Sequence, residues 1–425
     1  MVQYLFFSLL FYIFIWIIDF TEQTLDILVI FNVLNLIALI FYSYQKSKSI
    51  INAVIVFNIT GFLYSNYGYF FGVNLSSYYY SKCLLLSSIA IQSYNIAYIT
   101  WKIRKNTSKN TSYNFGKIWV ISMLMMLLGV AIELYFFFFY IGFSNFISMT
   151  RSARSLMMID AFYLANFYKP IITTSSLILL VCYLEKGGSF GKKIVVISST
   201  CLCIFNAIIE VSRANFIMII LPLVYILYKY KKITQKQVGF AFISIFISMA
   251  LWKYILTNGF VFNSNAIQLN SELVSWIKIG NNIIMDIEND QIDYLLGKSY
   301  LDTILNILYP FSGIESLSTW YVRTYEYSVF LRGGGRGFSS VIEAYYNFEV
   351  FGCVIVYFFY GILYKKFFSE ESSVLYILIQ AVLLSLIYKL FRSEAYSLWK
   401  NIWWLQLLPI ILIFSVSKGK GNEIK

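Results

Sequence analysis

Apolar residues run along this chain in long blocks, broken by short polar stretches, almost from one end to the other. A helix that crosses a bilayer needs about 20 such residues. The blocks predict about twelve crossings, near 1–18, 25–44, 49–66, 78–101, 118–141, 168–184, 194–212, 214–230, 237–256, 346–364, 372–391 and 396–415. The first block opens at residue 2 without a basic lead-in or a small-residue cleavage site, so it reads as an anchor that is kept. One connection, 257–345, is far longer than the rest and too long for a simple connector. The expectation is an all-α polytopic membrane protein, a single transmembrane domain over 1–425 with one large loop at 257–345.

Composition agrees. Hydrophobic residues make up 59% and charged residues 13%, against about 25% charged in soluble chains. That excludes an ordinary soluble enzyme, a disordered chain and a fibrous repeat. Histidine is absent, which removes Ser-His and Cys-His pairs and the commonest transition-metal ligand. Cys83, Cys182, Cys201, Cys203 and Cys353 all fall in apolar stretches without metal-site spacing, so neither a metal centre nor a disulfide framework is expected.

Charge supplies an orientation, because lysine and arginine accumulate in cytoplasmic loops. With the N-terminus inside, 19 of the 33 cations and only four acids (Glu185, Glu370, Glu371, Glu423) fall on the inner side, and both termini are cytoplasmic. The net charge of +12 then reports topology and anionic lipid heads, with no nucleic-acid partner implied. Seven of the eight arginines escape this rule: Arg104 is inner, whereas Arg151, Arg154, Arg213, Arg323, Arg332, Arg336 and Arg392 are not. A guanidinium is a planar fork of donors suited to phosphate or carboxylate. The segregation points to an outward-facing anion site.

Within the long loop, Leu273, Trp276, Ile277, Ile283 and Ile284 recur at helical spacing, predicting a helix that lies on the membrane surface or packs over the outer mouth. The acids Asp286, Glu288, Asp290 and Asp293 lack the glycine of a calcium loop and read as a solvated face. Leu296-Gly297-Lys298-Ser299 resembles the end of a phosphate-binding loop, but Ile292 stands where its first glycine belongs. The loop ends in Arg332-Gly333-Gly334-Gly335-Arg336-Gly337-Phe338-Ser339-Ser340-Val341-Ile342-Glu343, then Ala344-Tyr345-Tyr346-Asn347-Phe348. Its glycines can bring backbone N–H groups to an anion. Ser339 or Ser340 can cap a helix on which Glu343 and Asn347, four apart, share a face. Two further polar spots are Glu210 with Arg213, and Arg392 with Glu394 and Lys389.

These features together resemble the bacterial O-antigen or oligosaccharide repeat-unit polymerases (Wzy type). The resemblance rests on the span pattern with one large loop before the last three spans, on Glu210-Val-Ser-Arg213-Ala-Asn leading into an apolar helix, and on Gly337-Phe-Ser-Ser-Val-Ile-Glu343-Ala-Tyr-Tyr-Asn347-Phe348. Glu349 departs from it, since many relatives carry glycine after Asn-Phe; Gly352 can serve the tight packing instead. The resemblance implies a polymerase/ligase architecture of the GT-C kind in the bacterial inner membrane. It implies a glycosyltransferase reaction on the outer face, in which a glycan on undecaprenyl diphosphate is transferred to a new lipid-linked repeat unit, for O-antigen or capsule. Coupling to a chain-length regulator is implied as well.

Arginines aimed at the leaving diphosphate fit this chemistry, and without histidine a carboxylate is the expected base. The expected catalytic set is Glu343 as first-choice base, Glu210 as second, with Arg336 and Arg213. The expected substrate-binding set is Arg151, Arg154, Arg323, Arg332, Gly334, Ser339, Ser340, Tyr345, Asn347 and Arg392. No cofactor and no obligatory metal are expected. A lipid-linked oligosaccharide flippase is the transporter alternative, and would place cations in a central cavity. An O-antigen ligase is the nearest enzymatic alternative, and usually carries a histidine in its outer loop.

Overall fold

The computed structural model describes residues 1–18, 23–70, 77–103, 112–142, 162–209, 213–241, 244, 272–309, 313–331, 336–369 and 373–418. The described residues are almost entirely helical, with one isolated bridge between Tyr113 and Lys418. The first eight helices are α1 Val2–Ile18, α2 Gln23–Ser47, α3 Ala53–Phe70, α4 Ser77–Thr100, α5 Phe115–Leu134, α6 Phe162–Lys186, α7 Phe190–Ile209 and α8 Arg213–Lys229. The long loop supplies α9 Glu272–Glu288, α10 Lys298–Leu308, α11 Leu317–Tyr325 and α12 Tyr327–Leu331. The chain ends with α13 Ser340–Ser369, α14 Val374–Leu390, α15 Ala395–Ile402 and α16 Leu408–Val416. Every predicted crossing coincides with a helix except 237–256, most of which lies outside the described residues. The span expected at 346–364 begins earlier, at Ser340, because Ser339 caps the helix there.

Among the described residues six helices are long and apolar enough to cross a membrane, and three shorter apolar ones accompany them. Their outward faces confirm the solvent. On α2 the exposed residues are Ile27, Ile30, Leu34, Ile37 and Phe41, and on α5 they are Val120, Leu124, Leu127 and Leu128. Water would not tolerate apolar patches of that extent, whereas hydrocarbon does. The inward faces combine apolar residues, such as Leu28 and Leu39 of α2, with polar ones. Asn32 and Asn35 of α2 are buried, and a small cavity among α1–α4 is lined by Tyr12, Asn32, Asn35, Ser65, Asn66 and Gln92 among others. Asn58 and Asn95 exchange amide hydrogen bonds at 2.9 and 2.8 Å across α3 and α4. Such bonds hold helices together where lipid offers no hydrophobic drive. The fold is that of an all-α, multi-pass membrane protein.

The centre of the bundle is the seam between α4 and α13. A side chain at Gly361 would run into the Tyr94 carbonyl and come within 2.7 Å of Ala97, so the glycine lets the two backbones approach. Around it Phe57 stacks on Tyr94 at 3.7 Å, and Tyr357 and Tyr364 are fully buried. Two π-helical stretches widen the ladder, at Tyr135–Ile141 and Trp403–Leu407. The Thr174 hydroxyl donates to the Leu405 carbonyl at 3.1 Å within the second. The two ends of the bundle differ. At one end lie the predicted inner loops: Gln235 meets the Lys48 backbone, Tyr230 donates to Glu185, and Lys117 donates to the Val416 carbonyl. At the other end the long-loop helices pack over the tips of α3, α4 and α13.

Candidate functional site

The long-loop end is assembled by a few directed contacts. Helix α9 was expected on the membrane surface or over the mouth, and it takes the second place. Trp276 is buried and donates through Nε1 to the Tyr64 carbonyl of α3 at 3.1 Å. Lys82 of α4 pairs with Glu288 and lies over the Tyr78 ring at 4.3 Å. Buried residues on α9 recur as Trp276, Ile279, Ile283 and Asp286. That stripe turns Asp286 into the protein, in contrast to the expected solvated face. Asp286 is 7% exposed and accepts a hydrogen bond from the Tyr325 hydroxyl.

The start of α13 carries the densest group of expected residues. Ser339 caps the helix, its Oγ accepting from Val341 N at 3.2 Å. Ser340 does not form the capping box with Glu343; its hydroxyl bonds the Leu390 carbonyl and shares a 2.7 Å contact with Tyr357. Glu343 is fully buried. One carboxylate oxygen accepts from Ser299 Oγ at 2.7 Å, the other from Ala395 N at 2.6 Å, at the start of α15. Asn347 donates to Ser299 Oγ and to the Glu343 carbonyl, both at 2.8 Å, and accepts from Gly297 N at 3.0 Å. The Gly297-Lys298-Ser299 turn thus docks on Glu343 and Asn347. Tyr345 is buried, accepts from Tyr294 at 3.4 Å and meets Trp16 edge-on at 5.8 Å. Glu394, also fully buried, accepts from Ser318 and Ser397.

The cations are arranged around these anchors. Arg336 donates through Nε to Glu326 at 2.7 Å, and Lys278 donates to the other Glu326 oxygen at 2.9 Å. Burial works against the charge on Glu326, but these two hydrogen bonds outweigh it and hold the carboxyl below its usual range. Gly337, the next residue, lies flat on Arg392: a Cβ there would stand 2.5 Å from the Arg392 carbonyl and 2.9 Å from its Cγ. Gly337 thereby sets the backbone next to Arg336 against Arg392. Arg323 points elsewhere, to Glu315 at 2.8 Å, with half its side chain exposed. Glu210, Arg151, Arg154, Arg332 and Gly334 lie outside the described residues, and so does the side chain of Arg213, whose backbone opens α8. Among the described residues no group of histidine, cysteine, aspartate or glutamate could hold a metal ion.

Two residues of this end carry no functional expectation from the sequence: Asp286 reads there as part of a solvated face, and Glu326 is not distinguished at all. Asp286 could have been found, since it sits ten residues after Trp276 on the same helical stripe. Glu326 carries no signal of its own, because it lies between two short helices whose packing decides its partners. Comparison with family models, with curated proteins and with solved structures finds no match for this chain.

Proposed function

We propose that this chain polymerises oligosaccharide repeat units carried on undecaprenyl diphosphate, at the outer face of a bacterial inner membrane, yielding a surface polysaccharide such as O-antigen or capsule. The reading includes about twelve spans in a GT-C-like arrangement, with both termini cytoplasmic, and leaves room for a chain-length regulator as partner. The observation that supports it best is the packing of Gly337, the residue after Arg336, directly against Arg392, beside the long-loop helices and away from the lysine-bearing end. Bond cleavage leaves charge on the lipid diphosphate, and fixed donors aimed at that charge lower the barrier; one such donor is worth about 3–4 kcal/mol. Glu343, with both oxygens taken by Ser299 and Ala395, enters this reading as the carboxylate that fastens α10 and α15 to α13.

The test is the glycan profile of a strain lacking the chain, complemented with variants. Deletion should leave single-unit products, wild type should restore the ladder, and Arg336→Ala or Arg392→Ala should not, at normal protein level. Accumulation of lipid-linked units on the inner leaflet in the deletion strain would favour transport and overturn the proposal.

A further inference from the structure

A transfer to a sugar hydroxyl needs a proton acceptor within hydrogen-bond reach of that hydroxyl. The buried carboxylates at the long-loop end differ in what remains open on them. Glu343 and Glu394 are fully buried and each has both oxygens occupied by donors. Glu326 has both oxygens held by Lys278 and Arg336. Asp286 differs: Tyr325 holds Oδ2, and Oδ1 takes no hydrogen bond among the described residues.

The position of Asp286 relative to the cations is set by two consecutive residues. Tyr325 bonds Asp286, and the next residue, Glu326, bonds Arg336. The Tyr321 hydroxyl accepts from Asn282 of α9 at 2.7 Å. Aromatic rings cluster about Tyr325, the residue that bonds the aspartate: Tyr321 stacks on Tyr325 at 4.7 Å, Trp320 meets Tyr325 edge-on at 6.0 Å, and Trp320 stacks on Tyr346 at 5.7 Å. Trp320 and Tyr325 are half-buried, so this aromatic group reaches the surface. Apolar rings with polar tips suit a pyranose, which presents C–H faces and hydroxyl edges.

We infer that Asp286 is the base of the proposed polymerisation, and that Trp320 and Tyr325, backed by the buried Tyr346, form the subsite for the acceptor saccharide. The inference rests on the polymerase reading above. The acceptor hydroxyl gives its proton to Asp286 Oδ1 while its oxygen bonds the anomeric carbon of the donor. The bond from that carbon to the diphosphate oxygen breaks, its electron pair stays on the diphosphate beside Arg336 and Arg392, and the aspartic acid later releases its proton to solvent. Tyr325 holds the carboxylate in place through Oδ2.

The experiment uses the full chain in proteoliposomes with undecaprenyl-diphosphate-linked repeat units extracted from the deletion strain. Asp286→Asn should lower kcat at least 100-fold while KM stays within about threefold and the melting temperature is unchanged. Sodium formate should raise the rate of Asp286→Ala about tenfold or more by supplying the missing carboxylate, and should leave wild type unaffected. Trp320→Ala should raise KM for the acceptor with less effect on kcat. An Asp286→Asn rate within threefold of wild type overturns the assignment, and so does a folded Asp286→Ala that formate does not revive. A wild-type protein that makes no polymer at all overturns the underlying reading instead.

Discussion

Glu349 holds a backbone conformation, φ 57° and ψ −152°, that belongs almost wholly to glycine. It breaks α13 one residue after Phe348 and swings Val350 onward away from the axis of Ser340–Asn347. Gly352 makes the break possible, since a side chain there would collide with the Ala344 carbonyl. The tight packing expected at Gly352 is present, while position 349 keeps a backbone conformation that favours glycine. Two outcomes follow at this scale. Glu349→Gly should raise the melting temperature, relieving strain of about 1–3 kcal/mol. Gly352→Ala should lower stability by about 1–3 kcal/mol through overpacking. Thermal unfolding in one detergent checks both, and a more stable Gly352→Ala would refute the close approach. Residue types and local spacing were legible here: Ser339 as cap, and Glu343 and Asn347 on one face. Their partners Ser299 and Ala395 were not, because they lie 44 and 52 residues from Glu343.

Among the elements, α9 shows how periodicity and packing divide the work. Its apolar stripe predicts a helix, and its docking depends on Gly280, where a Cβ would stand 2.5 Å from Cys83 Sγ and 2.8 Å from Ile342 Cδ1. Gly280→Val should free α9 and expose the 289–297 segment to limited proteolysis at protease levels that leave wild type intact. Unchanged digestion would contradict this docking. The Glu326 bridge ties α9 to the segment before α13 through Lys278 and Arg336. Its carboxyl is held below 4.5 in the folded protein, so the unfolded state binds the proton first. The bridge therefore stabilises fully above the ordinary glutamate range and is lost as pH falls through the lowered folded value. The protection of amides in 272–288, relative to their intrinsic exchange rates, should fall on acidification more in wild type than in Glu326→Gln. An equal response in both would separate the loop's anchoring from Glu326.

The molecule as a whole has two chemically distinct ends, and that polarity is testable without any assay of activity. In a variant stripped of its five cysteines, Leu296→Cys, at an 80% exposed position, should react with a membrane-impermeant maleimide in intact spheroplasts. Lys231→Cys should react only after permeabilisation. The reverse pattern would turn the proposed orientation inside out.

Hydropathy by itself determined that this is a helical membrane protein and where most helices run, because lipid imposes one rule on every span: satisfy the backbone internally and face hydrocarbon with apolar side chains. Charge counting determined which loops share an end, since lysine placement is local and additive. Only the tertiary structure decided which polar groups meet. Gly337, the residue after Arg336, packs against Arg392 because the loop folds back onto the tip of α14, Arg323 turns away to Glu315, and Asp286 faces inward because α9 lies across α3 and α4. Hydrogen bonds and ion pairs act over a few ångströms, so residues distant in sequence acquire a shared chemistry only after packing has placed them.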